Sequence, residues 1–539
     1  MTAQINIKRT FSLSLKVLLS LLMFLFVIFP ILFILTSLGD VDFGGIVSSE
    51  LFAVSLFNSL ITTVFSTVLS VLFSFCIAYA ISRSQIRFKG IIAVILSVPM
   101  LIPSISHGMG ILVLFGSNGI LSGLFGLKDG IGGFAGIVLG GIQYSFPVAF
   151  LMFTDILRYE DQHVYQAAEI MGISKFRQFT GITLPYLTKP MISILFATFT
   201  LIFTDYGVPM MVGGRVMTLP LYMYQEVVGQ LNFGVGGIAA IFLIFPALIA
   251  FIFDIFKKDS SSSVSGDLTA ETVVNIKRDI IVYILCAFAI VAVLFPVIAF
   301  SIIGFVIKYP SDLSFTFDNI FKVFNMNAGQ FLFNSLGISV IVAEVGTVFS
   351  YLIAYLTARV PSKYNKILHL ISIFSLAIPG VVLGIGYSLM YGGTFLMGSI
   401  AIIIMVNTVH FFSSPYLMCY NALNKVNKKY EIVSQTLKIS RFRLIKDIMI
   451  PETLDTILEM FSYFFVNGMV TISAVSFIAS YNTKPLALMI NSFEAQMLLE
   501  CAAFVSLLIL CVNVILKIAI YLIKRAVLID RNKDNNYVV

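Results

Sequence analysis

The apolar residues of this chain run on rather than alternate. Twelve stretches of roughly 20 residues or more, near 13–38, 55–81, 91–115, 134–156, 190–212, 236–256, 280–305, 333–357, 367–391, 397–420, 456–480 and 499–523, are separated by polar segments. A helix needs about 20 apolar residues to cross a hydrocarbon core of ~30 Å, and lipid leaves its backbone no partner but its own carbonyls. The pattern therefore predicts an all-α integral membrane protein with about twelve transmembrane helices. Two stretches are less regular than the rest: 91–115, which carries Pro99, Pro103 and several glycines, and 456–480.

Lysine and arginine fall on one side of this pattern. Lys8, Arg9 and Lys16 precede or open the first stretch, Arg83, Arg87 and Lys89 follow the second, and Arg158, Lys175, Arg177 and Lys189 follow the fourth. Arg359, Lys363 and Lys366 follow the eighth, and Lys524 and Arg525 the twelfth, whereas the loop after the first holds Asp40, Asp42 and Glu50 and no base. Basic loops stay in the cytosol, so both termini are expected there.

Composition agrees. With 59% hydrophobic and 11% charged residues, there is too little polar surface to cover a water-soluble globule. The net charge of +7 is accounted for by the basic loops, so no nucleic-acid partner is read from it. The N-terminal apolar core exceeds the ~15 residues of a secretory signal and no small-x-small site closes it, so it reads as an uncleaved first span. Cys76, Cys286, Cys419, Cys501 and Cys511 all lie in apolar stretches without ligand spacing and read as packing residues.

The chain also repeats itself. Asn58-Ser-Leu precedes Tyr79 and Arg83 as Asn334-Ser-Leu precedes Tyr355 and Arg359, and Pro103, Gly108 and Gly110 match Pro379, Gly384 and Gly386, all at an offset of 276. Farther on the offset falls to 266, where Ile173-Ser-Lys-Phe-Arg177 faces Ile439-Ser-Arg-Phe-Arg443. An even number of spans per half makes the halves parallel about an axis along the membrane normal, with any passage between them. The expected organisation is a first half over 1–257, a flexible polar tether over 258–278, a second half over 279–525 and a cytosolic tail over 526–539.

Two cytosolic segments, 158–189 and 424–452, are longer than a connection between spans requires. In the first, Gln166, Ala167, Ala168 and Glu169 precede Gly172. The alanines permit close helix contact, Gly172 can take the left-handed conformation that ends a helix, and Ser174 can cap the next. Phe176 beside Lys175 and Arg177 then offers an apolar edge, and Ile182-Thr-Leu-Pro185 leads into the fifth stretch. Such a helix reads as a docking element for another protein. The second copy keeps Ser440, Arg441, Phe442, Arg443 and Pro451, but it has Lys438 at the glycine position, no Ala-Ala, and Glu431 one residue out of register. A lysine held left-handed costs on the order of 1 kcal/mol, so the two docking sites are expected to be unequal.

The first copy resembles the cytoplasmic EAA loop of bacterial ABC-importer permeases: Glu-Ala-Ala, a nearby glycine, then Ile-x-Leu-Pro, with Gln166 replacing the Glu and every spacing kept. Nearly the whole chain resembles the fused permeases of the ferric-iron, thiamine and 2-aminoethylphosphonate importer group. The stretches that carry this are Thr204-Asp-Tyr-Gly-Val-Pro209, Tyr224-Gln-Glu-Val-Val-Gly-Gln230, Asn407-Thr-Val-His410 and Phe465-Val-Asn-Gly-Met-Val-Thr-Ile-Ser-Ala474. The resemblance implies a type I importer permease fold in the bacterial inner membrane. It also implies two copies of a cytosolic ABC ATPase, each receiving one loop, and an extracytoplasmic solute-binding protein delivering 2-aminoethylphosphonate-like or ferric-iron cargo. The chain has no Gly-x-x-x-x-Gly-Lys-Ser/Thr loop, so ATP and Mg are expected on the partner ATPase and no cofactor on this subunit.

Ionisable and polar groups inside apolar stretches mark candidate passage residues. Asp205 reads as the cap of a re-entrant turn near the outer interface or as a cargo contact or gate. Glu344 and Glu459 read as buried hydrogen-bonding partners, interfacial groups or cargo contacts; His410 with Asn407 reads as a bridge between helices or as passage lining, and Asn467 stays equally open. The four histidines, His107, His163, His369 and His410, are scattered and form neither a catalytic set nor a metal set. The alternative reading is an ion-coupled secondary transporter of six plus six helices using Asp205 or Glu344 for protons, although such a carrier has no engine to dock on two matched loops.

Overall fold

A computed structural model describes residues 2–39, 41–158, 160, 162–256 and 275–535. Asp40, the tether expected at 258–278 as far as 274, and the tail from 536 onward lie outside the described residues.

Among the described residues, seven helices are each long and apolar enough to cross a bilayer: Leu13–Leu38, Glu50–Ser82, Phe134–Arg158, Lys175–Phe203, Ile276–Ile303, Ala328–Arg359 and Leu499–Val527. Three further spans are bent pairs: Lys89–Leu101 with Ser104–Phe115 at 99°, Asn365–Ala377 with Gly380–Tyr391 at 105°, and Ile400–His410 with Ser413–Lys425 at 50°. Phe233–Phe256 and Leu454–Val470 fill the two remaining positions of the expected twelve. The two sharp bends have one cause. Pro103 and Pro379 have no N–H to donate to the preceding turn, and each pushes the residue before it, Ile102 and Ile378, into extended backbone.

The fifth and eleventh spans are shorter than their apolar stretches. The fifth ends at Phe203, and the chain turns before a short helix at Gly207–Val212. The eleventh ends at Val470, followed by extended Thr471 and a single 3₁₀ turn at Val475–Phe477. Apolar composition continues through both turns because the residues there are buried in protein, where hydropathy cannot distinguish a helix from a packed turn.

The halves exchange their first spans. The first span packs on the second half, so Leu19, Val27 and Ile34 share a core with Val381, Leu383 and Ile385, while Val282, Cys286, Ala289 and Val293 of the seventh span join the core of the second, third and fourth. Missing side chains permit both contacts. A Cβ on Gly386 would lie 2.5 Å from the carbonyl oxygen of Pro30, and one on Gly110 would lie 2.8 Å from that of Pro296. Polar ties reinforce the exchange: Tyr387 donates to the Phe26 carbonyl at 2.7 Å, Gln143 donates to the Val293 carbonyl, and fully buried Lys16 donates to the Val360 carbonyl and Asn365 Oδ1, both at 2.6 Å. Outward-facing residues such as Phe57, Val64, Phe65 and Leu72 remain apolar, as lipid requires.

Candidate coupling loops and passage

The two cytosolic segments repeat each other bond by bond. In the first, the helix Gln162–Ile170 ends at Gly172, whose φ is +69°. Gly172 N–H bonds the Glu169 carbonyl at 2.9 Å and Ile173 N–H that of Ala168 at 2.9 Å, and the Ser174 hydroxyl then accepts from Arg177 N–H at 3.4 Å. In the second, Lys429–Thr436 ends at Lys438 with φ +55°; Lys438 N–H bonds the Gln435 carbonyl at 3.2 Å, Ile439 N–H that of Ser434 at 2.8 Å, and Ser440 accepts from Arg443 N–H at 3.3 Å. A π-helical turn follows in both, at Phe179–Thr183 and Ile445–Met449, before the spans resume. Lys438 thus holds the left-handed turn that glycine makes without strain.

Both loops present apolar residues outward. Phe176 is 76% exposed and Phe442 77%, with Ile170 and Met171 free in the first loop and Leu437 in the second. Of the two alanines only Ala167 lies on the open face with Gln166 and Glu169; Ala168 is buried, as is Ser434 at the matching position. Pro185 is exposed and Pro451 half-buried where the spans resume. The charge differs between loops. Glu169 pairs with Lys175 in the first, whereas the second has Gln435 and Arg441 at those positions and Lys438 in place of Gly172; Arg177 and Arg443 are common to both.

Each loop is tied to the end of a long core helix by an arginine, partly buried at Arg83 and buried at Arg359. Arg83, at the end of the second span, bonds Glu160 Oε2 at 2.6 Å and lies 3.9 Å from the Tyr165 ring centroid, and Tyr165 donates to Glu160. Burial pushes the Glu160 carboxyl above its ordinary range, opposed by the bonds from Tyr165 and Arg83. Arg359, at the end of the eighth span, meets Glu431 through Nε at 2.5 Å and Nη2 at 2.7 Å, and it donates to the carbonyls of Leu423, Val426 and Asn427. Glu431, expected on the docking face, therefore turns inward. It occupies the position of Tyr165, not that of Gln166, and holds the loop to the span.

The passage candidates disperse. Asp205 accepts from Gly207 N–H at 3.2 Å and Val208 N–H at 2.9 Å, capping the turn after the fifth span, and it bonds the Ser104 side chain. It borders a small cavity inside the first half with Ser59, Thr62, Thr63, Tyr144 and Thr218. Ser104 packs against Gly207, and in the second half Ser473 packs against Gly380, with His410 on the same glycine: one contact with its two members exchanged. His410 lies beside Phe411, ring centroids 4.4 Å apart, and Asn467 donates to the Tyr463 carbonyl one turn back in its own helix at 2.8 Å.

Two expectations are corrected. Asn407 is fully buried with no hydrogen-bond partner among the described residues, so it makes no hydrogen-bonded bridge between helices. Glu344 is exposed on the outward stripe of the eighth span with Val340, Ile341, Val345 and Val348, away from the space between halves. Glu459 pairs with Lys524 and with Lys517, the latter at 3.7 Å.

Sequence reasoning passed over Tyr206. Its ring stacks on Tyr224 at 4.5 Å, and its hydroxyl crosses to the second half, bonding Ser476 Oγ at 2.7 Å and accepting from Asn491 at 3.1 Å. The signal was its place beside Asp205 in a run already marked as a helix break. Arg83 and Arg359 were visible as a matched pair, but only as topology charges. Among the described residues, no three His, Cys, Asp or Glu side chains gather as a metal set.

The chain matches the profile of the family described as binding-protein-dependent transport system inner membrane component over residues 70–264 and 346–529. It is 23% identical over 410 residues to the ferric transport system permease protein FbpB of Actinobacillus pleuropneumoniae, covering 72% of this chain and 59% of that protein. It is 22% identical over 421 residues to the putative ferric transport system permease protein FbpB 1 of Haemophilus influenzae, covering 75% and 66%. A solved structure, the bacterial alginate ABC transporter in complex with alginate pentasaccharide-bound periplasmic protein, is similar over 47% of this chain and 94% of the matched chain, at TM-score 0.39 and 18% identity. The match spans only part of the two ferric relatives, yet the family profile covers most of both halves of this chain, with one segment around each candidate loop: the chain belongs to the binding-protein-dependent transport system inner membrane components.

Proposed function

We propose that this chain is the translocation subunit of an ATP-driven importer. Its two loops and both termini face the cytosol, each loop receives one copy of a cytosolic ABC ATPase, and a solute delivered by an extracytoplasmic binding protein passes between the halves. The carrying observation is the bond-by-bond repetition of the loops, which sets Phe176 and Phe442 outward at matching positions. Exposed phenylalanines on short, rigidly capped helices are suited to filling a partner's groove. ATP and Mg belong to that partner.

The transmission follows from the ties. Movement of a docked loop pulls on Arg83 or Arg359 and so on the end of a core helix more than 30 residues long. Because the first and seventh spans are exchanged, neither half moves without dragging a helix of the other. Ferric iron is the proposed cargo, as substrate rather than resident metal, since two relatives that match over more than two thirds of the chain are named as ferric permeases. The test is uptake into vesicles holding this chain, the ATPase and the binding protein. ATP-dependent entry of ferric iron, lost in F176A/F442A, supports the reading. Entry of 2-aminoethylphosphonate instead would correct the cargo, and uptake independent of the ATPase would overturn the importer.

A further inference from the structure

Between the seventh and eighth spans, at the end of the bundle opposite the two loops, lies a compact module with no counterpart in the first half. Strands Val306–Lys308 and Asp312–Phe315 pair antiparallel, and the helix Asp318–Asn325 follows. Among the described residues, the corresponding link between the first and second spans holds only the five-residue helix Phe43–Val47.

The helix has three faces. Asn319 and Val323 are buried, and Asn319 donates to the carbonyls of Gly304 at 3.2 Å and Val306 at 2.7 Å, locking helix to hairpin. Asp318, Lys322 and Asn325, spaced i, i+4, i+7, form a polar exposed strip. Phe317, Phe321 and Phe324 repeat the same spacing one residue earlier and are 55%, 66% and 44% exposed. Phe315, 68% exposed, joins them through a ring contact with Phe317 at 4.9 Å. The module is rigidly seated: Phe305 contacts Phe315, Phe317 and Phe504, Tyr309 N–H bonds Glu500 at 2.6 Å, and its hydroxyl bonds the Asn118 carbonyl at 2.7 Å.

We propose that residues 305–326 are an interfacial anchor that beds Phe315, Phe317, Phe321 and Phe324 in the lipid leaflet at this end of the bundle. Continuity identifies the occupant. The exposed aromatic face follows on from the exposed residues Phe295, Ile298 and Ile302 of the seventh span, and Phe333, Val340 and Ile341 are exposed on the eighth; exposed apolar residues of spans long enough to cross a bilayer are the ones that must face lipid. An aromatic strip flanked by a charged one is what a helix lying in the headgroup boundary requires. The seventh span is also the one exchanged onto the first half. An anchor at its end would hold it at fixed depth while the opposite end of the bundle moves.

The chain contains no tryptophan, so a single introduced one reports alone. F321W and F324W would be made in the full chain and reconstituted in vesicles of phosphatidylethanolamine and phosphatidylglycerol, with S311W in the exposed hairpin turn as comparator. The expected result is blue-shifted emission from F321W and F324W, strong quenching by lipids brominated near the glycerol end of the acyl chain, and severalfold weaker iodide quenching than for S311W. Iodide quenching equal to that of S311W would overturn the anchor. So would protection that appears only when the extracytoplasmic binding protein is added, which would assign this face to a protein partner.

Discussion

Arg359 and Glu431 meet through two bonds, Nε to Oε1 at 2.5 Å and Nη2 to Oε2 at 2.7 Å, with the guanidinium group almost wholly enclosed. The first half solves the same problem with different residues: at the position of Glu431 stands Tyr165, and the carboxylate comes from Glu160. An arginine at the end of a core helix more than 30 residues long, holding the loop from beneath, is what the two halves share. The acid that holds it is free to come from either side of the loop helix's start.

Replacing Arg359 with Met should therefore do more harm than replacing a surface arginine. Glu431 would lose its ion-pair partner and three carbonyls would lose their donors. Breaking one side of a buried pair costs about 3–5 kcal/mol. The thermal midpoint of the purified chain should fall well below wild type, and R359M/E431L should recover part of the loss. A midpoint within error of wild type would remove the tie.

The turn at 172 and 438 gives opposite signs for the same position. K438G relieves a left-handed lysine and should stabilise by about 1 kcal/mol, whereas G172V forces a β-branched residue into that conformation and should destabilise by at least about as much. Nothing crowds the place of a Cβ at Gly172, so the loss would be backbone strain and not a clash. Equal effects at both positions would mean that the turns are not equivalent in solution.

The turn at Gly172 was legible because a left-handed turn favours one residue type, and the turn at Lys438 through the shared offset of its flanking residues. Gly110 and Gly386 were legible for the same reason, through their common offset. Their partners, Pro30 and Pro296, were not, because each comes from the other half and only the exchange of spans brings it there. Pro103 made the third stretch look irregular, yet the ninth, with Pro379 at the same position and a bend of 105°, passed for an ordinary span. Glu431 was misread by matching its letter to the Glu of the motif; its register pointed to Tyr165. The missing partners of Asn407 and the outward exposure of Glu344 are set by packing, and a hydropathy window reports neither.

Glu160 gives a pH test. Burial holds its carboxyl above the ordinary range, so the folded chain keeps this proton where the unfolded chain has lost it. Stability from this group is then present at low pH and declines as pH rises from the ordinary carboxylate value through the raised one. E160Q lacks that slope. Its thermal midpoint relative to wild type should improve as pH rises across this window; parallel curves would mean that the carboxyl titrates alike in both states.

Glu344 sits near the middle of a 32-residue span on its outward stripe, where an acid costs about 3 kcal/mol in lipid. E344L should raise resistance to thermal unfolding in bilayers and leave ATP-driven uptake intact. An ion-coupled carrier using Glu344 would instead lose uptake in this variant, so one substitution separates the two classes of transporter.

The two docking faces should differ in how salt weakens them. Phe176 and Phe442 are equally exposed, and truncating either removes an anchor worth about 2 kcal/mol, roughly thirtyfold in affinity for the ATPase at that site, with the fold unaffected. What then remains is the other site. In F442A the surviving first loop carries Arg177 and a Lys175 already paired with Glu169, whereas in F176A the surviving second loop offers Arg443, which matches Arg177, together with Arg441 and Lys438, with Gln435 where the first loop has Glu169. Attraction between exposed charges falls off within about 8 Å at physiological ionic strength and within about 3 Å at 1 M. ATPase retention on immobilised F176A should accordingly drop more steeply with added salt than retention on F442A. Equal salt slopes would mean that the cations of the second loop do not meet the partner, and that the two sites differ only in the strain of their turns.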